Sequence, residues 1–135
     1  MRAALLVLCL LGATACDENS PTGPTVPLDE RFTLAPGDVG VVEGADVRLR
    51  FVRVSGDSRC PADAVCILGG DALVHVLVID ANGADEYELH TGDSDRAAVS
   101  HGGLRVTLIE LQPYPFSSRT IAPAEYRATL IVTRP

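Results

Sequence analysis

From Leu28 to the end of the chain, apolar residues recur at every second position and nowhere at the 3.6-residue spacing of a helix. The last run shows it best: Tyr126, Ala128, Leu130 and Val132 alternate with Arg127, Thr129, Ile131 and Thr133. Val47, Leu49 and Phe51 alternate with Arg48 and Arg50, and Tyr87 and Leu89 alternate with Glu86, Glu88 and His90. Leu104, Val106 and Leu108 repeat the pattern after His101-Gly102-Gly103. Successive side chains of a strand point to opposite faces, so period two marks strands with one face buried. Asp71 to Asp80 differs. It is apolar on both faces, with Leu73, Leu77 and Ile79 on one and Val74, Val76 and Val78 on the other, as in a central strand. Turn residues separate these runs, among them Pro36-Gly37-Asp38, Gly44 and Asn82-Gly83. About seven short strands at regular spacing predict an all-β, antiparallel β-sandwich of immunoglobulin-like architecture, with a small barrel as the alternative. The likeness is architectural only, because the chain has no tryptophan for the buried position typical of true immunoglobulin domains.

The first residues are of another kind. Arg2 precedes the apolar run Ala3 to Leu11, and Gly12, Ala13, Thr14 and Ala15 lead to Cys16. A bilayer-spanning helix needs about 20 apolar residues, so this run is too short to cross and reads instead as a cleavable export signal. Ala13-Thr14-Ala15-Cys16 resembles a lipobox, the site at which bacterial prolipoproteins are modified and cut. That resemblance implies residues 1–15 as signal peptide and lipidation of Cys16, which would tie the protein to a membrane of the cell envelope. Asp17 to Pro27 holds three prolines and little apolar content, which predicts a solvated tether over residues 16–27 and a single domain over 28–135. Extended, such a tether spans about 30 Å at about 3.1 Å per residue.

Charge and cysteines narrow the function. The net charge is −7 and the eleven basic residues are all arginine, which argues against nucleic-acid partners and reads as a soluble, acidic surface. With Cys9 in the signal and Cys16 taken by lipid, Cys60 and Cys66 remain, one pair in a compartment where disulfides persist. Their short ring predicts a structural disulfide worth roughly 2 kcal/mol. Redox-active pairs have a two-residue spacing beside a helix, and this pair has neither.

The segment Asp57-Ser58-Arg59-Cys60-Pro61, followed by Cys66, Gly70, Ala72 and Val74, is similar to a motif of small uncharacterised secreted or lipid-anchored bacterial proteins, DSRCP-x4-C-x-x-x-G-x-A-x-V. That family usually has a tryptophan where this chain has Leu68. The resemblance implies an exported β-domain and brings no reaction with it.

No catalytic signature stands out. Ser100 and Ser117-Ser118 lack the Gly-x-Ser-x-Gly elbow, and Glu86 and Glu88 read as a solvated strand face. His75, His90 and His101 are not paired at i, i+2 or i, i+4, so no metal or other cofactor is expected, and His75 reads as a hydrogen-bonded core histidine. Pro113-Tyr114-Pro115-Phe116 is the candidate interaction surface, since two prolines fix the backbone beneath Tyr114 and Phe116; the competing expectation is that these rings fold back to close the sandwich. The sequence thus predicts a non-enzymatic, lipid-anchored envelope protein that binds a protein or saccharide partner or serves structurally. The alternative is a metal-binding or redox-linked accessory lipoprotein.

Overall fold

The computed structural model describes residues 23–135. Nine strands follow one another: β1 (Thr25–Val26), β2 (Arg31–Leu34), β3 (Val39–Val42), β4 (Arg48–Asp57), β5 (Ala72–Asp80), β6 (Gly83–His90), β7 (Ala98–His101), β8 (Leu104–Gln112) and β9 (Arg127–Thr133). One 3-10 turn, Pro123–Glu125, precedes β9. The strands form a five-stranded sheet in the order β1-β3-β4-β5-β6 and a four-stranded sheet in the order β2-β9-β8-β7. The all-β sandwich expected from alternation is therefore the observed architecture. Every pairing is antiparallel except β1 with β3, which is parallel.

Alternation explains the core. Leu49 and Phe51 of β4, Val74, Val76 and Val78 of β5, and Leu89 of β6 point inward and meet Val106, Leu108, Ala128, Leu130 and Val132 of the other sheet. Phe51 and Leu130 have no exposed surface at all. Fully burying an apolar side chain of this size contributes about 1.5–3 kcal/mol, so this layer is the main source of stability.

Two features depart from strict alternation. Between Phe51 and Arg53, β4 takes an extra residue, and between Val54 and Gly56 it takes another. Such bulges insert a residue against one partner and reverse which face follows. The first turns Arg53 outward and Val54 inward, and the second returns Asp57 to the core side, opposite Ala72. In β8 a bulge between Leu108 and Glu110 keeps Glu110 out of the core and places Leu111 in it, 2 % exposed.

Two expectations need correction. Thr25 and Val26, assigned above to the tether, pair with Val41 and Val42, and Val26 is buried. A Cβ on Gly40 would lie 2.5 Å from Val26 Cγ1, so β3 admits β1 because glycine leaves that space. The folded domain thus begins before residue 28. The outer face of β5 is also only half-buried, so Leu73, His75 and Leu77 are not core. Among the described residues no second layer covers that face, and side chains of neighbouring strands, Ser55 and Glu86, meet His75 there.

The connections sort to two ends. Beyond the last residue of β4 and β8 and the first of β5 and β9 lie the 58–71 and 113–126 connections, joined by the 91–97 loop. The turns at 43–47, 81–82 and 102–103 lie at the opposite end.

Candidate functional site

The loop end is built on a buried ion pair. Arg59 Nε and Nη2 donate to the two oxygens of Asp57 at 2.8 and 2.7 Å, a bidentate fork. Its Nη1 donates to Leu111 O at 2.6 Å and its Nη2 to Pro113 O at 2.9 Å, so one guanidinium ties the end of β4 to the end of β8. Tyr126 donates its hydroxyl to Asp57 Oδ2 at 3.0 Å from the start of β9. The Arg59 and Asp57 side chains are 8 % and 10 % exposed. Burial alone would raise the Asp57 pKa, but the Arg59 hydrogen bonds and charge, with the Tyr126 hydroxyl, more than offset it and hold the carboxyl below its usual value. Burial, then the neighbouring Asp57 carboxylate, pushes the Tyr126 phenol up to about 12.

On this strut sit two loops. Cys60 and Cys66 lie at bonding distance, their Cα atoms 5.9 Å apart. The neck below them continues the β4–β5 ladder through Ser58 N–H to Asp71 O and Cys60 N–H to Gly69 O. Gly70 turns the neck at φ 69°, and a Cβ there would lie 1.7 Å from Ser58 O, so only glycine fits. The tip of the loop leans across the end of the sandwich. Ala62 N–H donates to Pro115 O at 2.8 Å, and Ser117 donates both its N–H and its hydroxyl to Asp63. Those Ser117 bonds lower the pKa of Asp63, whose side chain is otherwise in water.

The latched pair presents apolar side chains to solvent. Val65 and Ile67 are exposed as fully as in an open chain, at 104 % and 102 %, and Leu68 is 81 % exposed. Tyr114 and Phe116 are each 50 % exposed, so neither ring folds back into the core. Tyr114 lies under the Arg59 guanidinium, 5.4 Å from its centre, and so is fixed in place. Among the described residues the other large exposed hydrophobic is Ile109, in the β8 bulge. A cleft of about 500 Å³ opens beside these loops, with Arg59, Gly70, His90, Ile109 and Tyr114 in its wall.

Of the histidines, His90 borders this cleft, His75 lies on the outer face of the five-stranded sheet, and His101 lies at the far end. His75, expected in the core, stands on the outer face, with Nε2 against Ser55 Oγ at 2.7 Å and Nδ1 against Glu86 at 2.9 Å. The β4 bulge explains this, because it puts Ser55 and Arg53 on that face to meet it. His90 is the buried one, 4 % exposed, held by Asp71 at Nδ1 and by Glu88 at Nε2. Burial raises the Asp71 pKa, but the Gly92 N–H and then His90 lower it further, and the net direction is down. His101 latches the far end, bonding Asp80 at 3.1 Å and the Tyr87 hydroxyl at 2.9 Å. Among the described residues no group of three or more His, Cys, Asp or Glu is placed to hold a metal ion. Glu86 and Glu88, read as a solvated face, are committed to histidine and arginine contacts.

Of the sequence-derived candidates, the structure joins Cys60, Cys66, Tyr114 and Phe116 in one assembly. Cys16 lies outside the described residues. Sequence reasoning missed Val65, Ile67 and Leu68, although the stretch from Pro61 to Gly70 carries a single charge, Asp63, which is unusual for an exposed loop. Comparisons with protein-family models, with curated proteins and with solved structures gave no match.

Proposed function

We propose that the chain is a non-enzymatic, lipid-anchored protein of the cell envelope whose β-sandwich is a contact module. The observation that carries the reading is the gathering of Val65, Ile67, Leu68, Tyr114 and Phe116 at one end, on loops held by a disulfide, an ion pair and cross-loop hydrogen bonds. Exposed apolar side chains grouped in this way mark interaction surfaces. Loops already ordered lose little conformational entropy on binding. The Ala13-Thr14-Ala15-Cys16 sequence supports the anchor, and the acidic balance disfavours nucleic acid. A metal or redox role gains no support from the geometry, since the two sulfurs face each other and His75 and His90 are each held at both ring nitrogens.

Anchoring is tested with Cys16→Ser in cells fed a labelled fatty acid. The wild-type chain takes up label and sediments with membranes, whereas the variant takes up none and is released. A variant that stays on the membrane with unchanged gel mobility refutes the anchor.

A further inference from the structure

We infer that the surface bound by the apolar loop end is the bilayer itself: Val65, Ile67 and Leu68, flanked by Tyr114 and Phe116, rest in the headgroup region of the membrane that holds Cys16. The inference rests on the lipid-anchor reading and adds an orientation and an occupant to it.

The direction of the first strand is the starting point. β1 runs parallel to β3, and β3 runs antiparallel to β4, which ends at the disulfide loop. β1 therefore runs away from the loop end, and the chain that precedes it approaches from that end. On this inference the anchor stands on the same side of the domain as the apolar loops.

Chain lengths then set the height of the domain over the membrane. Thr25 lies level with Val41, and Val41 with Arg48. Cys16 comes nine residues before Thr25, and Asp57 comes nine residues after Arg48. A fully extended chain covers at most about 3.3–3.6 Å per residue, so Cys16 can stand no more than about 30 Å above Thr25. β4 spends two of these nine residues on the bulges, and its partner β5 spans the same pairs in seven steps, Ile79 to Ala72, a rise of about 23 Å at roughly 3.3 Å each. A lipidated Cys16 is thus held no higher than about 10 Å past the end of β4, near the level of the Cys60–Gly69 pair in the neck. The tip of the disulfide loop, residues 61–68, follows that pair. With the tether pointing towards the membrane, the tips of the loops reach the interface even when the tether is stretched, and press against it when it is not.

The chemistry of the tip suits that location. From Cys60 to Gly70 the single ionisable side chain is Asp63, and its carboxylate is turned onto the Ser117 N–H and hydroxyl. Pro113 to Phe116 holds no acidic or basic residue. The ion pairs behind the tip, Asp57 with Arg59 and Arg119 with Glu125, are internally balanced. An apolar tip with no cationic side chain, whose one carboxylate is turned back onto Ser117, inserts shallowly into the headgroup and acyl boundary and does not depend on anionic lipid. Tyr114 places an amphipathic ring at its rim, as side chains at membrane interfaces do. The turns of the opposite end, at 43–47, 81–82 and 102–103, expose no large hydrophobic side chain.

The chain contains no tryptophan, so one introduced indole is an unambiguous probe. The full-length, lipidated protein carrying Ile67→Trp, and separately Asn82→Trp at the opposite end, is reconstituted into phosphatidylcholine vesicles with and without acyl-chain bromination. Flotation of the vesicles establishes whether the chain is bound at all. The expected result is roughly a twofold loss of emission from the probe at position 67 in brominated vesicles, a blue-shifted maximum that is unchanged by salt, and no loss from the probe at position 82. Flotation without quenching at position 67 overturns the proposal while leaving the anchor standing. If that probe then becomes shielded only in native envelope vesicles, the occupant is a protein or saccharide partner and not lipid. Failure to float shows that the anchor reading itself is wrong, and the orientation falls with it.

Discussion

Arg59→Ala would remove the strut on which the loop end is built, and the structure allows its cost to be worked out. The substitution deletes both arms of the fork to Asp57 and the donors to Leu111 O and Pro113 O. Asp57, 10 % exposed, would keep the Tyr126 hydroxyl at 3.0 Å as its side-chain partner. Removing one member of a buried pair costs about 3–5 kcal/mol, because the remaining charge stays desolvated. Each orphaned carbonyl adds about 1–3 kcal/mol if water cannot reach it. The adjoining cleft lets water in, so the lower ends apply, roughly 5 kcal/mol in all. That is a large share of a domain stability of about 5–15 kcal/mol. At about 3–6 °C per kcal/mol for a chain of this size, the melting temperature falls by roughly 15–30 °C. Thermal unfolding followed by circular dichroism at pH 7 measures it. Arg59→Lys should fall between the two, since an ammonium keeps the charge but cannot serve the fork and two carbonyls together. Asp57→Ala with Arg59→Ala should be more stable than Arg59→Ala alone, because no unpaired carboxylate remains. A loss under about 3 °C for Arg59→Ala, or a double variant less stable than the single one, would refute the reasoning.

Three other perturbations follow from the same end of the molecule. Asp57 has a folded pKa below its unfolded value, so its contribution is complete above about pH 4 and is lost as pH falls through the folded value; melting temperatures measured from pH 6 to pH 2 should drop more steeply for wild type than for Asp57→Asn, and parallel curves would count against this. Gly70→Ala forces a Cβ onto Ser58 O at a positive φ and should cost roughly 2 kcal/mol by chemical denaturation, with an unchanged midpoint contradicting the neck geometry. Reduction of Cys60–Cys66 should leave the domain folded but lower its melting temperature by roughly 5–10 °C, the cost of freeing a short ring; native-state titration finding two free thiols before reduction would overturn the disulfide.

How much of this was legible depends on whether a residue's role is local. The inward faces of β5 and β9 were plain because Val74, Val76, Val78, Leu130 and Val132 repeat at period two over whole strands. The bulges of β4 and β8 were not, since an inserted residue leaves the composition unchanged and shows only in the partner strand's register. Strict alternation would carry Arg53 and Glu110 into the core; the bulges turn both out. β1 is two residues long and follows a proline, so no pattern can announce it. Its one trace is Gly40, a small residue in an otherwise valine-rich β3. The apolar residues of the disulfide loop escaped notice for a different reason. Hydrophobicity in sequence normally means burial, and only the arrangement of neighbours shows that Val65, Ile67 and Leu68 have nothing above them. His75 is not in its expected place because a strand apolar on both sides need not have a layer on both sides.

The parallel seating of β1 also decides how the domain meets a mechanical load. Val41 N–H donates to Pro24 O and Glu43 N–H to Val26 O, both at 2.9 Å and both crossing between strands that run the same way. Tension drawn through the N-terminus along the strand axis strains these bonds together, as in the shearing of a glued lap joint, instead of peeling them one at a time. Val26 would also have to be dragged out of the core past Gly40 before β1 came free. A pull from that end is therefore carried into the whole five-stranded sheet through its shortest strand.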